Sequence, residues 1–288
     1  MAYSYQSLTQ TLIDGGIDPA DAKEEAILLL TAFAGADRVT LLCDRHKLYA
    51  TPALMAAVGK RLTRYPLQYI LGTWDFFGCT FKVDESCLIP RPDTELLVET
   101  AITALPKGGI FADLCTGSGC VAVAILKHRP DLTAVALELY PETLSLAVEN
   151  AKLNGVAHRL IPLRADLLTE GREALAAYAP LCGIVSNPPY IPRVVVDGLA
   201  PELFYEPRAA LDGGEDGLVF YRKILSDYTS LLAPNAPLMV EIGYDQGDAL
   251  TALGKIYLPN IPAEIICDLG GNHRVAAFRH NADSNRIS

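Results

Sequence analysis

The chain has 288 residues, half of them hydrophobic, and a formal net charge of −10. That length fits one large domain, or a standard domain with a small companion, and it can bury a sizeable core. The acidic balance argues against a surface built to grip duplex nucleic acid, which rewards clustered Lys and Arg. No apolar run approaches the roughly 18 residues of a membrane span. The longest, AILLLTAFA at 26–34, is far shorter and contains Thr31. The start, MAYSYQSL, has neither the basic n-region nor the apolar h-region of a secretory signal, so a cytoplasmic protein is expected. The seven cysteines form no CxxC and no regular spacing, which argues against a disulfide framework. Cys115, Cys120 and Cys182 lie in apolar segments and read as small core residues. The five histidines show no HxxxH or HxxE pairing, so no metal site is expected.

The first 73 residues read as a small helical domain. Asp18-Pro19 and Thr51-Pro52 each combine an N-cap with a first-turn proline. The helices they open are expected to stop at Gly35 and before Pro66. WDFFGCTFKVD (74–84) alternates like a hairpin around Gly78, and residues 74–95 read as a hairpin and linker. Asp93 or Thr94 is a candidate N-cap for a helix running to about Ala104.

From Gly109 short apolar strands alternate with helical patterns. IFADL, TAVALEL, RLIPLRA, LCGIVS, PLMVEIG, AEIICDL and VAAFRH read as strands, and CVAVAILKH, PETLSLAVENAKL and LVFYRKILSDYTSLL as helices. That alternation predicts an α/β domain over 96–288, a mostly parallel sheet with helices on both faces. Only GGNHR separates the last two strands, so an antiparallel edge strand is expected. The polar tail NADSNRIS is expected to fray.

The chemistry starts at FADLCTGSGCVAVAIL, where Gly117 and Gly119 follow the first strand of the sheet. Glycines there let the chain turn sharply and a ligand approach closely. Alone, the pattern fits a nicotinamide dinucleotide site, an S-adenosylmethionine site or a tight turn. Glu138 ends the second strand, where an acid can accept hydrogen bonds from both ribose hydroxyls. Asp113, just before the loop, suits an ammonium group better than a pyrophosphate. Asp166, at the end of the third strand, sits where an adenine amine could be bound or where a solvated loop acid would be unremarkable.

The fourth strand ends in Asn187-Pro188-Pro189-Tyr190 and is expected beside the first, at the topological switch point. Pro188 forces Asn187 to be extended, and the two prolines remove two N–H donors. What remains is a stiff row of acceptors, the Asn187 side-chain oxygen and the Pro188 carbonyl, with the flat face of Tyr190 beside them. Such a corner suits a planar NH2 group. Two acceptors on its N–H bonds would turn the nitrogen lone pair toward an electrophile and stabilise the positive charge that grows there. A sulfonium methyl donor would complete an in-line transfer. A rigid loop after a strand is the plainer explanation of Asn-Pro-Pro alone.

RLTRYPLQYILG (61–72), FKVDESCLIPRPDTE (81–95), DLCTGSG (113–119), SNPPYIP (186–192), EPRAALDGGEDGLVFYRKIL (206–225) and EIGYDQG (241–247) together resemble the peptide chain release factor glutamine methyltransferases. The resemblance covers most of the chain from about residue 61. It implies a Rossmann-like class I S-adenosylmethionine methyltransferase fold with a small all-helical N-terminal domain that helps hold the substrate. It implies that the substrate is the glutamine of the Gly-Gly-Gln motif of bacterial class I release factors, methylated at its side-chain nitrogen N5. The donor would be S-adenosylmethionine, with S-adenosylhomocysteine as product. Cys115, Thr116, Gly117, Ser118 and Gly119 would hold it, with Glu138 at the ribose, where many members carry Asp. Leu167 takes the adenine-side position where some members carry Trp. Asn187, Pro188, Pro189 and Tyr190 would bind the substrate amide, and Arg91, Pro92 and Glu95 would lie near the pocket mouth. The resemblance assigns no derivable role to EPRAALDGGEDG.

Two other functions compete. Adenine-N6 or guanine-N2 methylation of nucleic acid needs a basic face and base-flipping wedges, and the chain shows neither. A silent S-adenosylmethionine-binding module would have no use for an amide-orienting corner. No stable nucleic-acid partner, no membrane and a monomeric state are expected.

Overall fold

The computed structural model describes residues 2–279; His280 and the tail 281–288 lie outside the described residues. The chain forms two compact units. The first runs to Thr73 and takes in Ala200–Tyr205; the second holds Trp74–Leu199 and the chain from Glu206 on.

The first unit contains α1 (Tyr5–Asp14), α2 (Pro19–Ala34), α3 (Arg38–Cys43), α4 (Pro52–Leu62) and α5 (Leu67–Leu71). Both expected caps form. Asp18 accepts from the Ala20 amide and Thr51 from the Leu54 amide, each with proline in the first turn. α2 stops at Gly35, which takes the left-handed conformation. α4 ends at Leu62, earlier than Pro66, and α5 begins directly after that proline. Leu8, Leu12, Leu29, Leu30, Leu41 and Leu54 are completely buried at the centre.

A boundary at residue 73 misses Ala200–Tyr205, and buried charge explains why this segment belongs here. Arg61 is 5% exposed and forks onto Glu25 at 2.7 and 3.0 Å. Glu202 supplies its second carboxylate at 3.1 Å and also binds Arg64. A buried guanidinium without partners is costly, so the distant segment stabilises this core. Tyr205 adds a ring contact to Tyr65 at 5.1 Å and a hydrogen bond to the Thr63 carbonyl.

The second unit opens with the hairpin of β1 (Thr73–Phe76) and β2 (Cys79–Lys82). Residues 74–95, expected as a linker, are part of this unit. The Lys82 amide donates to Asn150 Oδ1, whose Nδ2 returns to the Lys82 carbonyl, and Thr143 donates to the Ser86 carbonyl. The sheet contains β3 (Gly109–Leu114), β4 (Leu132–Glu138), β5 (Leu160–Arg164), β6 (Gly183–Ser186), β7 (Leu238–Glu241), β8 (Ala263–Cys267) and β9 (His273–Phe278). The order is β5-β4-β3-β6-β7-β9-β8. β3 pairs in parallel with both β4 and β6, so the switch point lies between the first and fourth sheet strands as expected.

The last two strands form the expected hairpin, but the antiparallel strand is not the edge. β9 inserts between β7 and β8, antiparallel to both, and β8 takes the edge. Burial decides the order. The last four residues of β9 are buried, whereas β8 has no buried residue, and the wetter strand takes the wetter position.

The intervening helices are α6 (Glu95–Ala104), α7 (Cys120–His128), α8 (Pro141–Leu153), α9 (Gly171–Ala176), α10 (Arg193–Val196), α11 (Val219–Asp227) and α12 (Gly247–Tyr257). One core forms where Ala112, Leu114, Val135, Leu137, Ile184 and Val240 meet Tyr221, Ile224, Tyr228 and Leu250 from α11, the turn after it and α12. α6, α7 and α8 pack against the sheet as well. The strand period of two sends Asp113 to the face opposite Ala112 and Leu114. No helix among the described residues is long and apolar enough to cross a membrane.

Candidate active site

A cavity of about 380 Å³ opens at the carboxyl ends of β3, β4 and β6. Its walls bring together Asp113, Cys115, Thr116, Gly117, Ser118, Glu138, Asp166, Leu167, Asn187, Pro189 and Arg91. These residues converge on one volume because parallel strands end at the same height.

The end at the glycine loop is built around two acids. Asp113 is 1% exposed, and its Oδ2 accepts from Thr116 Oγ1 at 2.6 Å and the Ala122 amide at 3.2 Å. Burial pushes its carboxyl up to about 7 against those two hydrogen bonds. Glu138 accepts from three backbone amides. Its Oε2 takes Gly117 at 3.1 Å, and its Oε1 takes Leu139 at 2.9 Å and Tyr140 at 3.2 Å. Burial raises its carboxyl as well, and the three amides oppose the shift. Cys115 turns through the left-handed region at φ 59, a strained conformation for a residue with a Cβ, at the wall of the cavity. Gly119 opens α7 at φ 79, and a Cβ there would stand 3.1 Å from Ala147 Cβ, so glycine serves close helix packing.

Asp166 forms a turn of its own, with Oδ1 accepting from the Leu168 amide at 2.8 Å. Leu167 is buried in the wall, and its carbonyl accepts from the Tyr228 hydroxyl. Cys115 and Cys120 are half-buried wall residues and not enclosed core as the sequence suggested; Cys182 is buried. Burial holds the Cys120 thiol near about 12 and Cys115 well above its usual value, so both stay neutral. The lining has two buried acids and apolar side chains from Leu137, Leu167 and Phe220. It fits a ligand carrying an ammonium group, vicinal hydroxyls and an aromatic base. Among the described residues no group of three His, Cys, Asp or Glu side chains could hold a metal ion.

The other end is the Asn-Pro-Pro-Tyr corner. Asn187 lies in the cavity wall and donates from Nδ2 to Thr94 Oγ1 at 3.2 Å. Its side-chain oxygen is thereby the end left to accept. Pro188 and Tyr190 frame the corner without lining the cavity, as does Gly119 at the other end. The Tyr190 hydroxyl faces inward and donates to Glu241 Oε1 at 3.3 Å. Burial and the Glu241 charge push that phenol above its ordinary range.

The segments that the sequence could not assign brace this corner. Ile191 pairs with Asp212, and the Gly213 amide donates to the Ile191 carbonyl. A Cβ at Gly217 would fall 2.3 Å from the Tyr190 carbonyl oxygen, so only glycine lets this turn close. Gln246, from EIGYDQG, donates to that same carbonyl at 3.0 Å. Glu206, from EPRAALDGGEDG, is buried, accepts from the Ile89 amide at 3.0 Å and pairs with Arg91. The Leu-Ile-Pro-Arg stretch is thereby pinned at the cavity wall. Charged or amide residues inside glycine-rich turns were the available signal; their targets lie too far along the chain to be read from it.

Two expectations fail here. Glu95 does not reach the cavity: its Oε1 accepts from the Phe77 amide at 2.9 Å, beside the tight turn of the hairpin. Thr94 is no N-cap. It has helical dihedrals, makes no cap hydrogen bond and turns its hydroxyl to Asn187.

Known proteins show the family. Residues 5–72 match the PrmC N-terminal domain and residues 91–233 the methyltransferase small domain. A release factor glutamine methyltransferase of Geobacter sulfurreducens is 42% identical over 252 residues, 84% of this chain and 83% of that protein. One from Moorella thermoacetica is 38% identical over 225 residues, 76% of each chain. Among solved structures, the hMettl16 catalytic domain in complex with a MAT2A 3′UTR hairpin superposes with TM-score 0.56 at 14% identity. It covers 82% of this chain and 86% of that one, a likeness of fold. The α/β unit is a Rossmann-like methyltransferase domain, and the chain belongs to the release factor glutamine methyltransferase family.

Proposed function

We propose that the protein transfers a methyl group to the side-chain amide nitrogen of the glutamine in the Gly-Gly-Gln motif of bacterial class I release factors. The observation that carries this is the Asn187 amide, tied by its nitrogen to Thr94 in the wall of the cavity that also holds Asp113 and Glu138. The names of the relatives support the substrate.

S-adenosylmethionine, when bound, supplies an electrophilic methyl group on a sulfonium. Asp113 attracts its ammonium group and Glu138 accepts from the ribose hydroxyls. Asp166 offers its second carboxylate oxygen to the adenine amine, with Leu167 and its neighbours as apolar walls. At the other end Asn187 Oδ1 and the Pro188 carbonyl accept the two N–H bonds of the glutamine amide. That pair of hydrogen bonds fixes the plane of the NH2 group, so that its lone pair faces the methyl carbon. Both acceptors strengthen as positive charge develops on nitrogen, so they stabilise the transition state more than the ground state. The new N–C bond forms as the C–S bond breaks, and the extra proton leaves the nitrogen for water. The first unit, matching the PrmC N-terminal domain, helps hold the release factor. A protein substrate is consistent with the net charge of −10.

The test offers radiolabelled S-adenosylmethionine with a release factor, with the same factor carrying a changed Gly-Gly-Gln glutamine, and with duplex DNA. Label on the unaltered factor alone is expected. Label on DNA, or equal label on both factors, would overturn the proposal.

A further inference from the structure

We infer that Arg193 is a substrate-binding residue whose guanidinium holds main-chain carbonyls of the release factor segment that carries the glutamine. This rests on the reading that the Asn-Pro-Pro-Tyr corner holds the glutamine amide. The argument starts from a shortage of donors. Pro188 and Pro189 have no N–H, Asn187 spends Nδ2 on Thr94, and Tyr190 spends its hydroxyl on Glu241. Such a corner receives an NH2 group well and a carbonyl badly. A peptide entering the cavity brings one carbonyl with every residue, and each one taken out of water needs a donor. The two glycines before the glutamine carry no Cβ, so a side chain of the enzyme reaches their carbonyls directly.

Arg193 stands three residues beyond Tyr190, in the wall of the same cavity. A short ladder against the turn at 211–214 holds its backbone. The Ile191 amide donates to the Leu211 carbonyl at 3.0 Å, the Gly213 amide to the Ile191 carbonyl at 2.8 Å, and the Arg193 amide to the Gly214 carbonyl at 2.8 Å. Asp212 then aims the side chain. Its Oδ1 accepts from the Gly214 amide at 2.9 Å, which fixes the carboxylate, and its Oδ2 accepts from Arg193 Nε at 3.0 Å.

That bond uses one of the five guanidinium N–H groups. Nη1 and Nη2 make no hydrogen bond among the described residues, and the Arg193 side chain is 64% exposed. The four N–H groups left form a planar, rigid fork that reaches two carbonyl oxygens at once. Arg91 faces the same cavity, but pairs through Nη2 with Glu206, whose side chain is 1% exposed. An ion pair as open as Arg193–Asp212 contributes little to the fold, so stability does not account for an arginine held this way beside the corner.

The experiment uses the full chain and measures kcat, the KM for release factor, donor affinity by calorimetry and Tm. The proteins are the wild type, Arg193→Met, Arg193→Lys, Arg222→Met and Asn187→Ala. Arg222 pairs with Asp216 and does not line the cavity, so its variant removes the same charge elsewhere. Arg193→Met is expected to raise KM about 10- to 100-fold, the worth of a hydrogen bond to a charged group. Its kcat and donor affinity should stay within about twofold, because a contact made equally in ground and transition states acts on KM alone. Arg193→Lys keeps the charge and loses the fork, and should recover only part of the loss. Arg222→Met should keep the wild-type KM. A wild-type KM in Arg193→Met, with Asn187→Ala inactive, would overturn the inference and leave the site reading standing. An equal rise in Arg222→Met would assign the effect to net charge and overturn it as well. So would a KM rise matched by losses of Tm and donor affinity, which would place the damage in the turn at 211–214. Activity in Asn187→Ala would instead overturn the site reading on which the inference rests.

Discussion

The two ends of the cavity are built by different kinds of contact. At the glycine-loop end, Asp113 is satisfied by residues 3 and 9 positions away, and Glu138 by its next two neighbours and an amide 21 positions away. At the Asn-Pro-Pro-Tyr end, the partners lie 93 positions away for Asn187, and 51 and 56 for Tyr190. The arch beside it is closed by Glu206 across 117 positions. The first end is a property of one βαβ stretch. The second exists only when four separate segments have come together. Damage to the distant segments is therefore expected to harm transfer and spare donor binding, and damage to the local acids to do the reverse.

The sharpest way to break that division is Gly217→Ala. Its Cβ would meet the Tyr190 carbonyl oxygen at 2.3 Å, and the residue has a φ of 74. A displaced corner should cost about 100-fold in kcat, as misplacements near 1 Å do. Stability should fall by about 1–3 kcal/mol. Donor affinity, measured by calorimetry, should hold; a parallel loss would mean the two ends are one mechanical unit.

Next in size is Asp113→Asn, expected to weaken donor binding about tenfold or more, the worth of a charged hydrogen bond. Its pH dependence sharpens the same point. Burial raises the Asp113 carboxyl to about 7, so below that pH the group is increasingly neutral and its attraction for an ammonium fades. Wild-type donor affinity should tighten between pH 6 and 8 on the order of that titration, with proton release on binding at the acid end. Asp113→Asn should remove most of the slope.

The smallest effect belongs to Glu95→Ala. Glu95 serves the Phe77 amide, so its loss should lower Tm by the equivalent of about 1 kcal/mol and leave the KM for release factor unchanged. A raised KM with an unchanged Tm would return Glu95 to the pocket mouth.

The glycine-loop end could be read from the chain because each feature there is enforced within one βαβ stretch. Gly117, Gly119, Asp113 and Glu138 occupy positions that the strand ends and the helix start dictate. The residues of the corner could be read as well, since prolines restrict their own backbone and that of the residue before them. What braces the corner could not. Thr94 looks like a cap because local rules know only local partners, whereas Glu95 came to the pocket mouth through the resemblance alone. Glu206, Gln246 and Glu241 look like turn or strand-end polar residues for the same reason.

The sequence by itself determined the alternation of strands and helices, the acids of the glycine-loop end and the stiff proline row at residues 187–190. Periodicity, capping and proline geometry act over a few residues. Only the tertiary structure decided that β9 lies inside the sheet and that Ala200–Tyr205 belongs with the helical unit. It alone brought Glu241 to the Tyr190 hydroxyl. Those outcomes depend on which buried charge or apolar strand finds its partner across the fold, and burial is a property of the assembled chain.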